Sequence, residues 1–327
     1  MNPQFWRNRR VFLTGHTGFK GRWLTRWLTM LGASVTGYSL PENDVRDLPA
    51  LRDAMNAARP EIVFHLAAQA LVRTSYDDPV TTFTTNVTGT VHVLESLRSA
   101  PSVRAAVLVT SDKCYANSGE GRAFRESDLL GGNDPYSSSK ACAEMAITAY
   151  RHSFFSGDAS PRIVSVRAGN VIGGGDWSSD RLVPDLVRSF RERKEALIRH
   201  PDATRPWQFV LDALHGYLLA AERAFGRGDL PRAFNFGPGE QEARTVAWLA
   251  AAMAARWGDG AASQVAHGSH PHEAQTLALD SSLARQVLHW TPLLDLPTAV
   301  VWTTDWYRST RDLTDSQIED FMERATA

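Results

Sequence analysis

The chain has 327 residues, with Lys+Arg 35 against Asp+Glu 36, 43% hydrophobic and 22% charged residues, and two cysteines. That length provides one large domain or two modest ones with a sizeable core, and the composition excludes disordered, collagen-like and disulfide-scaffold classes. A formal net charge of -1 offers no bulk attraction to nucleic acid or an anionic membrane, so neither is expected as a partner. The longest apolar runs, such as Val246 to Ala255, fall short of the ~20 residues of a membrane span. The N-terminus runs almost straight into Val11-Phe12-Leu13, without the features of a secretory signal. Cys114 and Cys142 form no CxxC and suit a reducing compartment, so a cytoplasmic protein is expected.

Short runs rich in Val, Ile, Leu and Phe predict strands at Arg10–Thr14, Ser34–Tyr38, Ile62–Leu66, Ala105–Thr110 and Ile163–Arg167. Runs rather than alternations are expected of strands buried on both faces of a parallel sheet. Helical patterns fall between them at Arg22–Leu31, Leu48–Ala58, Val80–Arg98 and Tyr136–Phe155. The βαβα order predicts an α/β fold, a doubly wound parallel sheet over residues 1–169. After Gly169 the loops thicken and helices such as Pro184–Lys194 and Asp212–Phe225 replace strict alternation. Residues 170–327 are therefore expected to form a smaller helix-rich lobe over the strand ends, with some late elements returning to the sheet.

Gly15-His16-Thr17-Gly18-Phe19-Lys20-Gly21 follows the first strand and opens the first helix. Such a turn lets backbone approach a pyrophosphate, which then sits at a helix N-terminus. The second strand ends Gly37-Tyr38-Ser39 without the usual ribose-binding carboxylate, and Glu42, Asp44 and Asp47 follow shortly after. No Arg stands right after it to take a 2′-phosphate, which favours NAD over NADP.

Tyr136 and Lys140 stand four apart at the start of a helix introduced by Asp134-Pro135, hence on one face. An ammonium beside a phenol stabilises the phenolate and lowers its pKa, so the pair can take a proton from a sugar hydroxyl. Thr110-Ser111-Asp112-Lys113-Cys114-Tyr115 follows the fourth strand, where side chains point into the ligand crevice of such sheets. Ser111, Asp112 and Lys113 there supply a hydrogen-bond donor, a general acid and a general base.

These stretches, with Leu66-Ala67-Ala68-Gln69 and Tyr136-Ser137-Ser138-Ser139-Lys140, resemble the extended short-chain dehydrogenase/reductase superfamily with its Rossmann-type sheet. Within it, Ser111-Asp112-Lys113-Cys114-Tyr115, Arg167–Trp177, Asp180–Asp185, Arg205-Pro206-Trp207-Gln208 and Pro271-His272-Glu273-Ala274 resemble the nucleotide-sugar 4,6-dehydratases, over nearly the whole chain. The resemblance implies a lyase that acts on a nucleotide sugar, with CDP-glucose as substrate and tightly held NAD as cofactor. Tyr136, with Lys140 and Ser111, would deprotonate the 4-hydroxyl; Lys113 would remove the C5 hydrogen; Asp112 would protonate the departing 6-hydroxyl. Gly15, Thr17, Gly18, Phe19 and Lys20 would cradle the cofactor pyrophosphate, Leu66, Ala67, Ala68 and Gln69 would line the nicotinamide ribose, and Asp44 and Val45 the adenine. Asn170, Arg181 and Arg205 would hold the nucleotide diphosphate of the substrate, a role suited to guanidinium forks. The product would be a deoxysugar precursor for surface polysaccharide such as lipopolysaccharide O-antigen, and a homodimer through paired helices is implied.

One departure stands out: Leu40-Pro41-Glu42-Asn43 leads straight into Asp44, where family members carry a longer loop. Two other readings stay open at this level. A 4-epimerase or 4-ketoreductase needs Tyr136 and Lys140 but not Asp112-Lys113, and a non-catalytic NAD- or nucleotide-sugar-binding protein needs none of the five. His267, His270 and His272 lack the accompanying Cys or carboxylates of a metal site, and none is expected. Trp248, Trp257, Trp302 and Trp306 are read as core and subunit contacts, and Cys114 as a packing residue.

Overall fold

The computed structural model describes residues 1–326 except 120, 227, 240–242 and 267–276. Six parallel strands form the sheet: β1 (Arg10–Thr14), β2 (Ser34–Tyr38), β3 (Ile62–His65), β4 (Ala105–Val109), β5 (Arg162–Ala168) and β6 (Ala233–Phe236). Their order across the sheet is β6-β5-β4-β3-β1-β2. Val11 lies beside Val35 and Ile62, and Val107 between Phe64 and Val164, so registers are set by apolar neighbours. Alternate residues of one strand enter opposite cores. Val11, Leu13, Ile62 and Phe64 pack on one face, and Phe12, Val63, Ala106 and Leu108 on the other. That two-sided burial is why these strands read as apolar runs. β2 differs: it lies at the sheet edge and is half-exposed along its length.

The crossover helices follow from their caps and apolar stripes. Helix α1 (Phe19–Met30) begins at Gly18 and buries Trp23, Leu24, Trp27 and Leu28 along one stripe. Helix α2 (Leu48–Ala58) starts at Asp47, whose side chain accepts from the Ala50 amide, and ends on left-handed Arg59. The helix expected over Val80–Arg98 is one helical run that carries a π turn within it. Pro79–Phe83 leads into a π turn at Thr84–Thr88, and helix α3 (Gly89–Arg98) follows. The π turn swings Asn86 inward, where its side chain bonds Gln69 and Ser139. Helix α4 (Pro135–Phe154) is capped by Asp134, whose carboxylate accepts from both the amide and the hydroxyl of Ser137.

Beyond Gly169 the chain forms helix α5 (Leu182–Arg191), helix α6 (Val210–Phe225), helix α7 (Val246–Trp257) and short two-stranded ribbons. The elements that return to the sheet are α6, which packs on β4 and β5, and β6, which extends it beside β5. Trp257 is buried, and Trp248, Trp302 and Trp306 pack against the same core. No helix among the described residues is long and apolar enough to cross a membrane.

Candidate active site

A cavity of about 1040 Å³ opens over the carboxyl ends of the parallel strands. Its walls come from the turn after β1, the segment after β3, the segment after β4, the first turns of α4 and the lobe beyond Gly169. This is where a doubly wound sheet places its ligands.

The turn after β1 closes only because its glycines carry no side chain. Gly15 adopts φ +75, and a β-carbon there would lie 2.6 Å from the Ala67 amide nitrogen. Gly18 caps α1 without a side-chain hydrogen bond, so the first amides of the helix face the cavity rim with no competing cap. An anionic group fits such a terminus. Behind it, a buried chain of polar groups holds the segment after β3: Thr14 Oγ1 and His65 Nδ1 lie 2.7 Å apart, and His65 Nε2 and Thr90 Oγ1 3.1 Å. Burial lowers His65 to about 3, so the ring is neutral and acts as a connector. Sequence reasoning missed Thr14, His65 and Asn86.

Shortly after β4, Ser111 caps a short helical turn formed by Asp112, Lys113 and Cys114. Ser111 Oγ donates to Asp112 Oδ1 at 3.0 Å, the Lys113 amide donates to Ser111 Oγ at 3.2 Å, and Lys113 Nζ lies 3.6 Å from Asp112 Oδ1. Asp112 is buried, and its Oδ2 has no hydrogen-bond partner among the described residues. Tyr136 and Lys140 project from α4 into the same cavity. The Tyr136 phenol is pushed up to about 12: burial raises it, while a Ser111 hydrogen bond and the Arg181 charge pull the other way. This differs from the expected lowering by Lys140, because desolvation by burial outweighs the opposing Arg181 charge. Burial lowers Lys140 to about 8, and its Nζ donates to the Val109 carbonyl at 3.5 Å.

Lys20 also lies in this cavity. Its Nζ donates to Tyr217 Oη at 3.2 Å, and burial, reinforced by the Arg181 charge, lowers it to about 7. On the lobe side, Arg181 donates to Asp176 Oδ2 (3.1 Å) and to the Ala70 carbonyl (3.2 Å), bridging the two halves of the chain. Arg205 lines the wall, and Asn170 does so with a buried Oδ1 that lacks a partner among the described residues. Arg73 and Arg199 converge on Asp180 at the rim, at 3.4 and 2.8 Å, and sequence reasoning did not single them out.

The cavity therefore gathers Gly15, Gly18, Phe19, Lys20, Leu66, Ala68, Gln69, Ser111, Asp112, Lys113, Tyr136, Lys140, Asn170, Arg181 and Arg205. It does not enclose Thr17, Ala67, Asp44 or Val45. Thr17 is exposed at the turn, Asp44 pairs with Arg46 at 2.5 Å, and Val45 packs into the core under α3. Cys114 is buried with its thiol pushed up by desolvation, as a packing residue would be. His267, His270, His272 and the Pro271-His272-Glu273-Ala274 stretch lie outside the described residues. Among the described ones no three metal-ligating side chains converge.

The parallel sheet and the glycine turn at the N-terminus of α1 are those of a dinucleotide-binding enzyme, with the polar side chains of the cavity as its candidate catalytic set. The chain belongs to the NAD dependent epimerase/dehydratase family, whose model matches residues 11–237. It is 43% identical to the CDP-glucose 4,6-dehydratase of Salmonella typhimurium, covering 100% of this chain and 99% of that protein. The alignment extends over 357 positions against 327 residues here, so the relative carries segments that this chain lacks. The fold matches the UDP-glucose 4-epimerase of Thermus thermophilus in complex with NAD, with TM-score 0.81, 24% identity and coverage of 92% of this chain and 100% of that one. It also matches the dTDP-glucose 4,6-dehydratase of Bacillus anthracis in complex with NAD, with TM-score 0.76, 19% identity and coverage of 92% and 96%.

Proposed function

We propose that the protein is a nucleotide-sugar 4,6-dehydratase, a hydro-lyase that converts CDP-glucose to CDP-4-keto-6-deoxyglucose with NAD as cofactor. The observation that carries this reading is the acid–base pair Asp112-Lys113 set beside Ser111 and Tyr136 in one cavity. An epimerase or ketoreductase has no step that needs such a pair. Full-length similarity to a CDP-glucose 4,6-dehydratase supports the choice of substrate.

The site fits the cofactor. The turn Gly15, Thr17, Gly18, Phe19 and Lys20 would hold its pyrophosphate at the uncapped start of α1. Leu66, Ala67, Ala68 and Gln69 would line the nicotinamide ribose, with Tyr136 and Lys140 beside it; Asp44 and, through its backbone because its side chain is buried under α3, Val45 would meet the adenine outside the cavity wall. NAD held there would supply the hydride acceptor and donor that oxidation at C4 and reduction at C6 require.

The chain's own groups do the proton work. Tyr136 takes the proton of the 4-hydroxyl, with Ser111 and Arg181 favouring its phenolate against the cost of burial. Lys140 anchors the ribose end of the site from the Val109 carbonyl. The resulting 4-ketone acidifies the C5 hydrogen, which the Lys113 amine removes from the half-open side of the cavity and, after exchange with solvent, replaces at C5 once C6 is reduced. Asp112 gives a proton to the departing 6-hydroxyl, and its unpartnered Oδ2 acquires a bond when that hydroxyl arrives. Asn170, Arg181 and Arg205 hold the nucleotide diphosphate.

The finer assignments follow from the same reading. The protein works in the cytoplasm, supplies a deoxysugar precursor for surface polysaccharide such as O-antigen, and forms a homodimer. Support for the dimer comes from Val80, Phe83 and Met145, apolar and exposed on two helical segments that pack against each other. Chromatography that separates C4 epimers, coupled to mass spectrometry, after incubation with NAD⁺ and, in parallel, CDP-, dTDP- and UDP-glucose tests the assignment. Loss of one water from CDP-glucose is expected. Loss from another nucleotide alone would change the substrate, and C4 inversion without loss of water would make the protein an epimerase.

A further inference from the structure

The stretch bearing Ser111, Asp112 and Lys113 is tied down at both ends, and both ties lead to one buried ion pair. Upstream, Thr110 Oγ1 donates to Glu144 Oε1 at 2.5 Å. Downstream, Tyr115 Oη accepts from Arg167 Nη1 at 2.7 Å and donates to Asn235 Oδ1 at 2.7 Å. Arg167 meets Glu144 fork to fork, Nε to Oε1 and Nη2 to Oε2, both at 2.8 Å, and Ser165 Oγ donates to Glu144 Oε2 at 2.8 Å. Every one of these side chains is buried. The end of β4, strands β5 and β6 and helix α4 thus meet at a single point.

Glu144 stands four residues after Lys140 and eight after Tyr136 on α4. At 3.6 residues per turn these three occupy one face of the helix. The carboxylate that holds Thr110 therefore also fixes where Tyr136 and Lys140 stand along the helix axis. Apolar packing alone tolerates sliding, whereas a bidentate guanidinium–carboxylate pair is directional. Such a pair, desolvated, contributes little net stability over an apolar replacement, and a role in fixing one arrangement accounts for its presence better. It stays ionised here: burial opposes both charges, yet the Arg167 bonds and charge hold the Glu144 carboxylate below its usual range. Neither side chain lines the large cavity.

We infer that Glu144 and Arg167 are positioning residues that set the helix carrying Tyr136 and Lys140 against the loop carrying Ser111, Asp112 and Lys113, and so couple oxidation at C4 to elimination across C5 and C6. The inference rests on the dehydratase reading above. When the two parts are misaligned, C5 loses its proton to Lys113 but the 6-hydroxyl does not receive one from Asp112. C5 is then reprotonated from the exchanged amine, C4 is reduced again, and substrate is released with a solvent hydrogen at C5.

The test runs the protein and its Glu144→Gln, Arg167→Lys and Tyr115→Phe variants with NAD⁺ and CDP-glucose in heavy water. Mass spectrometry at partial conversion gives the ratio of recovered substrate deuterated at C5 to dehydrated product. That ratio is independent of how much of the protein is folded. Expected is a rise in the ratio for all three, with turnover lowered about 10- to 100-fold and KM within about twofold. Arg167→Lys keeps the charge and loses the fork, so it should behave like Glu144→Gln. Tyr115→Phe leaves the ion pair intact and decides the matter if the other two fail to fold. An unchanged ratio, with turnover reduced only by the folded fraction, would overturn the inference alone. Absence of dehydration by the unaltered protein would overturn the functional reading and this inference with it.

Discussion

Gly169 and Asp112 share one space. A β-carbon on Gly169 would fall onto the Asp112 carboxylate, with Asp112 Cβ only 3.2 Å away. The end of β5 thus presses its backbone against the group assigned to protonate the leaving hydroxyl, and only glycine leaves room. Gly169→Ala should displace the carboxyl and lower turnover about 10- to 100-fold, while affinity for NAD⁺ stays within about twofold. Steady-state kinetics beside a cofactor titration checks this, and unaltered turnover would show that the Asp112 position is not critical.

Tyr136→Phe deletes the proton acceptor and leaves the packing of the ring. Burial disfavours the phenolate in the ligand-free site, while the Ser111 hydrogen bond and the Arg181 charge act the other way. Turnover should fall by about 10²–10⁴, with the midpoint of thermal unfolding little changed. Product formation within tenfold of the unaltered protein would remove Tyr136 from the chemistry.

Affinity for anions should depend on pH through Lys20. Its amine, lowered to about 7 by burial and the Arg181 charge, is mostly neutral above that pH in the ligand-free protein. A diphosphate beside it favours the ammonium, so binding takes up a proton and NAD⁺ binds more tightly as pH falls from about 9 through 7. Lys140, at about 8, titrates in the same range, so Lys20→Met is needed to separate the two. Calorimetric titrations across that range should show a steep dependence that this substitution flattens. Equal slopes in both proteins would exclude Lys20 as the titrating group.

Much of this architecture was legible in the sequence because its signals are local. Apolar runs gave β1 and β2 at their observed bounds, and Asp47 and Asp134 mark the starts of two helices through their caps. The glycine turn and the Tyr136–Lys140 spacing carried the site for the same reason. What stayed hidden depends on contacts between distant residues. The π turn at Thr84–Thr88 exists because Asn86 finds Gln69 and Ser139, and the raised phenol of Tyr136 reflects a pocket that only the packed lobe encloses. Arg73 and Arg199 lie far apart in sequence and meet only through Asp180.

Met145→Glu tests the dimer. The side chain is 53% exposed on α4, on the far side of the helix from the buried Tyr136–Lys140 face, and a carboxylate there should be harmless in a monomer. Sedimentation should show a dimer for the unaltered protein and a shift toward monomer for the variant. A monomer in both would refute the proposed interface.

The most direct measurement follows CDP-glucose with NAD⁺ in heavy water by mass spectrometry, for the unaltered protein and for Lys113→Met. The unaltered protein should yield a product lighter by one water that carries one solvent deuterium at C5, and the variant should yield none while still binding the sugar. Recovery of unchanged substrate from the unaltered protein, or equal turnover by Lys113→Met, would contradict the assignment of Asp112 and Lys113 as the elimination pair.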